Sequence, residues 1–338
     1  MTDRYQRRHT QKKRIRYLGA VVLILLAAAM IGIIVFSAAG RSTISYTQTE
    51  EDTEASDLVE LNGELYVPKK NIETYLFMGI DDPGTVHKRE EYDGTGQCDT
   101  IILLVRDRST GTYMTLSLDR NTMMEVKSLT PDGRYLATTT DQLSLAHSVG
   151  DGLEISCENV IDAVSNFLLG QKIDGYAAIN MGAIGTINHL LGGITVTIQD
   201  DFSQQDSSLI MGETVTLSDE QAVSYIRGRM YVGDGKNEDR VRRQNEYMEA
   251  AEVRFRELCS ADNTFPMEFY EAMSEYVVTN ISAMKFSKLA MLMANGKESG
   301  SLKLEGETII GDLELEEFWA DQESLEEVIA QLFYKKYK

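Results

Sequence analysis

Residues 74–80 read TYLFMGI and residues 100–105 read TIILLV, and these two runs decide the fold. Each is a short, nearly continuous apolar series, which is typical of a strand in a sheet that is covered on both faces. A third strand is predicted over residues 113–118, which read YMTLSL. Such a sheet needs helices on both sides to bury its side chains.

Helices alternate with strands further along the chain. The pattern predicts helices over residues 156–169 (with Ser156 as a cap) and 181–191, and strands over residues 176–179 and 194–198. Residues Ser218 to Gln221 have the form of a capping box, which begins the helix that carries Arg227. This order predicts an α/β fold, a three-layer α–β–α sandwich with a mixed central sheet.

The charge of the chain is unevenly distributed. The protein has 338 residues, 43% of them hydrophobic, and a formal net charge of −20. Residues 1–16 carry seven basic side chains and one acid, a charge of +6, so the remainder carries −26. An acidic body disfavours nucleic acid as a partner.

Residues 17–40 form an uninterrupted apolar run, YLGAVVLILLAAAMIGIIVFSAAG. As a helix these 24 residues reach roughly 36 Å, enough to cross a bilayer with some tilt. The basic residues before the run place the N-terminus in the cytoplasm and residues 41–338 outside. A signal peptide cleaved near Ser37-Ala38-Ala39 is the alternative, but the run is longer than usual for one, which favours a membrane anchor.

The remaining chain divides into three predicted parts. Residues 41–70 read as a polar stalk that ends in an Asn62-Gly63 hairpin. Residues 71–258 form the main domain, and residues 259–338 form a helical extension packed on it, with helices near 266–277, 283–294 and 321–338.

Three cysteines, an odd and low number, do not form a disulfide framework. One bridge between Cys98 and Cys157 is possible, but buried free thiols are favoured for these two residues and for Cys259.

Two carboxylates mark strand ends where a ligand is expected. Asp81 follows the first buried run and Asp99 precedes the second. Together they could share a hard divalent cation such as Mg²⁺, which takes one or two carboxylates and fills its shell with water and phosphate oxygens. The alternative is that Asp81, Asp82 and Asp99 shape turns. Arg120 adds a cation at the end of the third strand.

Five further arginines lie in the segment YIRGRMYVGDGKNEDRVRRQ, residues 225–244. They are Arg227, Arg229, Arg240, Arg242 and Arg243. If a helix begins near Asp239, then Arg240, Arg243, Gln244 and Tyr247 share one face near its N-terminus, an environment that favours an anion such as phosphate. Arg242 points elsewhere and can pair with Glu246. A salt-bridged surface helix is the alternative.

The usual signatures of nucleophilic hydrolases, zinc proteases and nucleotide-binding loops are absent from the sequence. His147 and His189 lie in helical patterns where structural roles are commoner, so histidine-driven catalysis is disfavoured.

The order of these motifs resembles the LytR-CpsA-Psr family of cell-wall glycopolymer ligases. The resemblance spans about residues 71–252 and is carried by G-I-D, C-D-T-I-I-L-L, S-L-D-R-N-T, I-N-H-L-L-G-G-I-T-V, R-G-R and D-R-V-R-R-Q. It implies an enzyme on the outer face of a Gram-positive membrane. Such an enzyme moves teichoic acid or capsular polysaccharide from a polyprenyl pyrophosphate carrier to peptidoglycan, leaving a phosphodiester.

By motif position, the resemblance implies that Asp81 and Asp99 bind Mg²⁺. It also implies that a set of basic residues, with Gln244 beside them, holds the pyrophosphate: Arg120, Arg227, Arg229, Arg240 and Arg243. The chain departs from the family pattern at Asp119 and Asn121, where the family commonly has P-R-D around the arginine, and in the motif from Gln142 to His147, where a lysine and a tyrosine are common. It also departs at Gln97 and Asn237. These departures leave two other functions open, a hydrolase of polyprenyl pyrophosphates and a regulatory protein that binds the lipid without turnover.

Overall fold

The structure, a computed structural model, describes residues 58–337 except 93, 229, 234, 236, 263, 286–288 and 290–296. The predicted cytoplasmic tail (1–16) and transmembrane helix (17–40) lie outside the described residues. Within the described part, no helix is both long and apolar enough to cross a bilayer.

The strands and helices follow one another in an alternating order. The strands are β1 (Val59–Leu61), β2 (Glu64–Pro68), β3 (Ile72–Ile80), β4 (Cys98–Asp107), β5 (Thr112–Leu118), β6 (Met123–Leu129), β7 (Tyr135–Gln142), β8 (Gly175–Asn180), β9 (Thr195–Thr197), β10 (Thr214–Thr216), β11 (Val277–Thr279), β12 (Lys297–Lys303), β13 (Gly306–Ile310), β14 (Glu316–Ala320) and β15 (Tyr334–Lys336). The helices include α1 (Glu154–Phe167), α2 (Ala183–Leu190), α3 (Asp219–Arg227), α4 (Asn237–Ala261), α5 (Phe265–Met273) and α6 (Gln322–Phe333).

A mixed six-stranded sheet lies at the centre, in the order β11-β8-β3-β4-β5-β12. The two apolar runs at residues 74–80 and 100–105 lie in its middle strands, β3 and β4, which pair antiparallel. On its other side β3 pairs parallel with β8, so that Phe77 lies opposite both Ile102 and Ala177. The predicted mixed central sheet is therefore confirmed.

Helices cover this sheet on both faces because alternate residues of β3 point to opposite sides. Tyr75 and Phe77 pack with residues of α2, α3, α4 and α5 in one buried cluster. Leu76 and Met78 pack with α1 and α6 in a second cluster. These four side chains are fully buried, as a strand covered on both faces requires.

The predicted Asn62-Gly63 hairpin and the predicted capping box are confirmed, whereas the predicted cap of α1 is not. Asn62 and Gly63 have positive φ values of 48° and 73° and join β1 to β2. Ser218 and Gln221 form the predicted capping box of α3. At α1, however, the cap differs from the prediction, because the Asp151 carboxylate accepts the first N–H groups of the helix.

The C-terminal part is not a helical extension, which corrects that prediction. Its strands β11 and β12 form the two edges of the central sheet, and β15 pairs with β2. Helices α5 and α6 lie close to the helices predicted near 266–277 and 321–338, although each ends earlier than predicted, and the helix predicted near 283–294 falls largely on residues outside the described part. Residues 259–338 therefore complete the main domain.

Both cysteines with described side chains, Cys98 and Cys157, are free and buried. The favoured prediction of apolar thiols is confirmed for them, and the possible bridge is not formed. The side chain of Cys259 lies outside the described part.

A chain shortened to residues 41–258 is expected to remain unfolded, because it loses both edge strands and the buried face of α6. Circular dichroism and thermal melting measure this, with residues 41–336, which keep β15, as the control. A cooperative melting transition in the shortened chain would show that the C-terminal part is dispensable.

Candidate functional site

The antiparallel pairing of β3 and β4 brings two carboxylates to one end of the sheet. Asp81 directly follows β3, and Asp99 is the second residue of β4. The register shifts by one residue next to Gly79, and the Asp81 N–H donates to the Gln97 carbonyl at 3.0 Å. The predicted neighbouring acids are therefore adjacent in space.

Arg120 joins this pair from the end of β5. Its guanidinium forms an ion pair with Asp99, and its Nη2 donates to Gln97 Oε1 at 2.6 Å. The side chains of Arg120 and Asp99 remain 37% and 35% exposed, so both can reach a bound ligand. Gln97 replaces a cation common in the resembled family, and here it orients Arg120.

Electrostatics at Asp99 show how the site is balanced. Burial raises the pKa of Asp99, the Arg120 charge lowers it, the Asp81 charge raises it and Arg240 lowers it, and the net direction is upward. Arg240 lies in the first turn of α4, which therefore approaches the two acids. The two arginines therefore offset only part of the cost of burying the Asp99 carboxylate.

Asp81 has a carboxylate oxygen ready for a ligand. Its Oδ1 is buried and has no hydrogen-bond donor among the described residues. In that same part of the chain, no three acidic, histidine or cysteine side chains converge as a metal cluster. Asp81 and Asp99 are two carboxylates at one sheet end, a donor set of the size that a hydrated Mg²⁺ takes.

Asp82, in contrast, shapes a turn. Its Oδ1 accepts the Gly84 N–H at 2.8 Å, and its carbonyl accepts the Gly182 N–H at 3.1 Å. The turn alternative is confirmed for Asp82.

Arg243 is buried, with 1% of its side chain exposed. Its Nη1 pairs with Asp200 at 2.5 Å, its Nε donates to the Tyr225 carbonyl at 2.9 Å, and its Nη2 donates to the Gly228 carbonyl. The guanidinium also lies over the Phe202 ring. This placement contradicts the predicted contact with a ligand, because every nitrogen of the guanidinium faces the protein.

The rest of that helical face also packs inward. Gln244 Nε2 donates to the Ile226 carbonyl at 3.3 Å, and Tyr247 OH donates to Asn188 Oδ1 at 3.2 Å. The prediction that these residues share a face is right, but the face lies against α3 and α2. Only Arg240, at its N-terminal end, lies near the acids.

The other arginines differ in their surroundings. Arg242 pairs with Glu246 at 3.6 Å, as predicted, and with Asp200 at 2.5 Å. Arg227, the last residue of α3, is exposed and has no ion pair with a described residue. Arg229 lies outside the described residues.

Two residues that support the site were missed or underused by sequence reasoning. Arg89 is 6% exposed, and its Nη1 donates to the carbonyls of Thr95 and Ser148, both at 3.2 Å. His147 Nδ1 bonds to the Gly96 carbonyl at 2.9 Å, which confirms a structural role for this histidine. Arg89 lies in a polar loop without periodicity, so nothing in the pattern signals its burial.

Gly96 is held tightly between these two side chains. Its φ of +72° suits glycine, and a Cβ there would overlap the Arg89 guanidinium. Gln97 and Asp99 follow at once along the chain, so the loop fixes the start of β4 at the site.

Two departures from the family pattern contact each other. Gln142 Nε2 donates to Asn121 Oδ1 at 3.3 Å, and also to the Glu316 carbonyl at 2.6 Å. The Phe318 N–H donates to the Asn121 carbonyl at 2.9 Å, so the hairpin β13–β14 rests against the residue next to Arg120.

Comparison with known proteins assigns the family. Residues 33–333 match the sequence profile of the LytR_cpsA_psr family. The chain belongs to the LytR-CpsA-Psr family. A relative in Enterococcus faecalis, named polyisoprenyl-teichoic acid–peptidoglycan teichoic acid transferase TagU, is 28% identical over 276 residues, covering 81% of this chain and 80% of the relative. The Bacillus subtilis protein of the same name is 26% identical, covering 65% of this chain and 67% of its own.

Solved structures of other proteins share the fold. Bacillus subtilis TagV superposes with a TM-score of 0.54 at 25% identity, covering 78% of this chain and 96% of TagV. Protein gbs0355 of Streptococcus agalactiae gives a TM-score of 0.56 at 21% identity, covering 79% and 91%. Their likeness supports the mixed α/β architecture described above.

The buried His147 makes the stability of this LytR-CpsA-Psr protein depend on pH. Burial holds its pKa at about 4, below the ordinary 6.5, so the fold carries the neutral imidazole. The stabilisation that comes from burying the neutral imidazole is complete above about pH 6.5. As the pH falls towards 4 this stabilisation is lost, and the free energy of unfolding decreases by up to roughly 3 kcal/mol. The difference in free energy of unfolding between wild type and His147→Gln should therefore change over this window in denaturant titrations. Parallel profiles for the two proteins would contradict a buried neutral histidine.

Proposed function

We propose that this LytR-CpsA-Psr protein is a phosphotransferase that attaches a glycopolymer, teichoic acid or a cell-wall or capsular polysaccharide, to peptidoglycan. The donor is a polyprenyl pyrophosphate-linked glycan, and the product is a phosphodiester. The observation that most supports this proposal is that Asp81 and Asp99 meet at one end of the sheet, with Arg120 and Arg240 beside them. The names of the two TagU relatives support this substrate class.

The donor set fits a bound Mg²⁺, which we propose as the cofactor. Asp81 and Asp99 would hold it, because Oδ1 of Asp81 has no described donor and the burial of Asp99 leaves its charge incompletely compensated. When bound, a divalent ion at this position would neutralise charge on the pyrophosphate and on its leaving group.

The arginines supply the remaining positive charge. Arg120 and Arg240 lie beside the acids, and Arg227 is an exposed residue at the end of α3. We propose that these three, with Arg229, bind the pyrophosphate oxygens by charge-assisted hydrogen bonds. Positioning and electrostatic stabilisation then provide most of the catalysis, as is usual in phosphoryl transfer.

The reaction exchanges one phosphorus–oxygen bond for another. A peptidoglycan hydroxyl attacks the sugar-linked phosphorus and releases its proton to solvent. The bond from that phosphorus to the bridging oxygen breaks, and the lipid leaves as polyprenyl phosphate. The glycan remains joined to peptidoglycan through one phosphate.

The variants Asp81→Asn and Asp99→Asn should each lower transfer by at least about 100-fold, because each removes charge from the site without much change in volume. The assay incubates the ectodomain with lipid-linked glycan and peptidoglycan fragments, with and without Mg²⁺, and follows conjugate and free lipid phosphate separately. Asp162→Asn, a surface acid paired with Lys127, is the matched control and should retain activity.

The same assay distinguishes the other two functions. Free lipid phosphate without conjugate, even with abundant acceptor, would identify a hydrolase. Tight lipid binding with neither product, unchanged in Asp81→Asn, would identify a regulatory binder. Equal activity of wild type and both aspartate variants would overturn the proposed site.

We further propose that residues 17–40 anchor the protein and that residues 41–338 lie outside the cell. The support is the apolar run preceded by seven basic residues. Protease added to intact protoplasts should therefore degrade the domain and leave a cytoplasmic marker protein intact. Protection of the domain until the membrane is permeabilised would contradict this topology.

A further inference from the structure

The buried Arg243 is hydrogen-bonded to the backbone turn at the end of α3, which carries the exposed Arg227. Its Nε donates to the Tyr225 carbonyl at 2.9 Å and its Nη2 donates to the Gly228 carbonyl. These acceptors lie on either side of Arg227, two residues before it and one after it. One buried side chain therefore holds the backbone on both sides of an exposed cation.

The next residue of the same helix adds a third contact. Gln244 Nε2 donates to the Ile226 carbonyl at 3.3 Å. The last carbonyls of a helix have no partner within the helix, and basic or amide side chains can satisfy them. Here the side chains that do so come from α4, so α4 fixes how α3 ends.

Asp200 holds Arg243 in place and compensates its charge. Its two carboxylate oxygens accept from Arg242 and Arg243, both at 2.5 Å, and its side chain is 9% exposed. An arginine buried without a carboxylate would be strongly unfavourable, so the Asp200–Arg243 pair acts as a unit. The Asp201 carbonyl accepts the Gly233 N–H at 2.9 Å, which ties the chain beyond the turn to the same point.

The backbone turn at Gly228 is tightly packed. A Cβ at Gly228 would lie 2.7 Å from the Ser224 carbonyl oxygen and 2.8 Å from both Gln205 Oε1 and a Val232 methyl group. The backbone at Gly228 is therefore determined by packing as well as by Arg243.

We infer that Arg243, held by Asp200 and assisted by Gln244, is a positioning residue that fixes the end of α3 and thereby aims Arg227 at the pyrophosphate, without touching the substrate itself. The same helix carries Arg240, one turn before Arg243, beside Asp99. A single helix thus sets the position of Arg227 relative to the acids. This inference rests on the proposed function for its substrate, but its structural part does not.

A double-mutant cycle separates positioning from contact. Arg243→Lys keeps the charge but cannot reach the three acceptors in the same geometry, and it should raise KM for the lipid-linked glycan roughly tenfold to a hundredfold, since small misplacements of binding groups carry such costs. In an Arg227→Ala background the same change should add less than about twofold, because the residue that it positions is gone. Full multiplication of the two effects would show that Arg243 acts independently of Arg227, and would overturn the inference.

Hydrogen exchange provides a readout that needs no substrate. In Arg243→Lys the amide of Gly228, which donates to the Ser224 carbonyl, should exchange faster, while amides of β3 and β4 should not change. Arg254→Lys is the matched control, because Arg254 lies on the same helix and also binds a backbone carbonyl, that of Leu191. Unchanged exchange at Gly228 in the Lys variant would contradict the structural part.

Two further variants keep the test decisive if Arg243→Lys does not fold. Gly228→Ala displaces the turn sterically, and Gln244→Met removes the donor to Ile226 without changing any charge. Each should raise KM in the wild-type background and have little further effect with Arg227→Ala; multiplicative effects would again oppose the inference. Absence of transfer by the wild-type ectodomain would instead contradict the proposed function. The hydrogen-exchange data would still decide whether Arg243 holds the turn at Gly228.

Discussion

The pairing of β3 with β4 is the interaction on which the site depends. Because the two strands are antiparallel neighbours, the residue after one and the first residues of the other meet at a single sheet end. The hydrogen bond from the Asp81 N–H to the Gln97 carbonyl extends that pairing past the end of β3. A one-residue slip would turn one carboxylate into the apolar layer, where an unpaired charge is costly. The apolar core therefore fixes the register, and the register fixes the distance between the acids.

Holding two acids together costs stability, and the surroundings offset that cost only in part. Arg120 and Arg240 lower the pKa of Asp99, but burial and Asp81 outweigh them. A site optimised for stability alone would give the Asp81 Oδ1 a donor, and the described residues provide none. Incomplete compensation of this kind is what a ligand can satisfy, so the same feature weakens the apo fold and favours binding.

The elements that could be predicted from the sequence are those in which the order of apolar and polar residues reflects which side chains are buried. The runs at 74–80 and 100–105 became the central strands because both faces are covered. Strand β7 was missed because its residues are mostly polar and exposed, as YLATTTDQ shows, and strand β12 was missed because its sequence, KESGSLK, is mostly polar. Helical periodicity correctly grouped Arg243, Gln244 and Tyr247 on one face. It gives relative angles only, so it could not decide whether that face meets a ligand or the core.

Contacts also show that departures from a family pattern need not be independent losses. Asn121 stands where an acid is common, Gln142 begins the motif in which a lysine is common, and their amides are in contact. An acid at position 121 and a lysine at position 142 would form a charged pair, whereas in this chain two neutral amides are in contact. Restoring only one charge would place it beside an amide and near Glu316, whereas restoring both would recreate a compensated pair. The two departures are therefore better understood as one exchange at the edge of the site, which leaves Arg120, held by Asp99 and Gln97, in place.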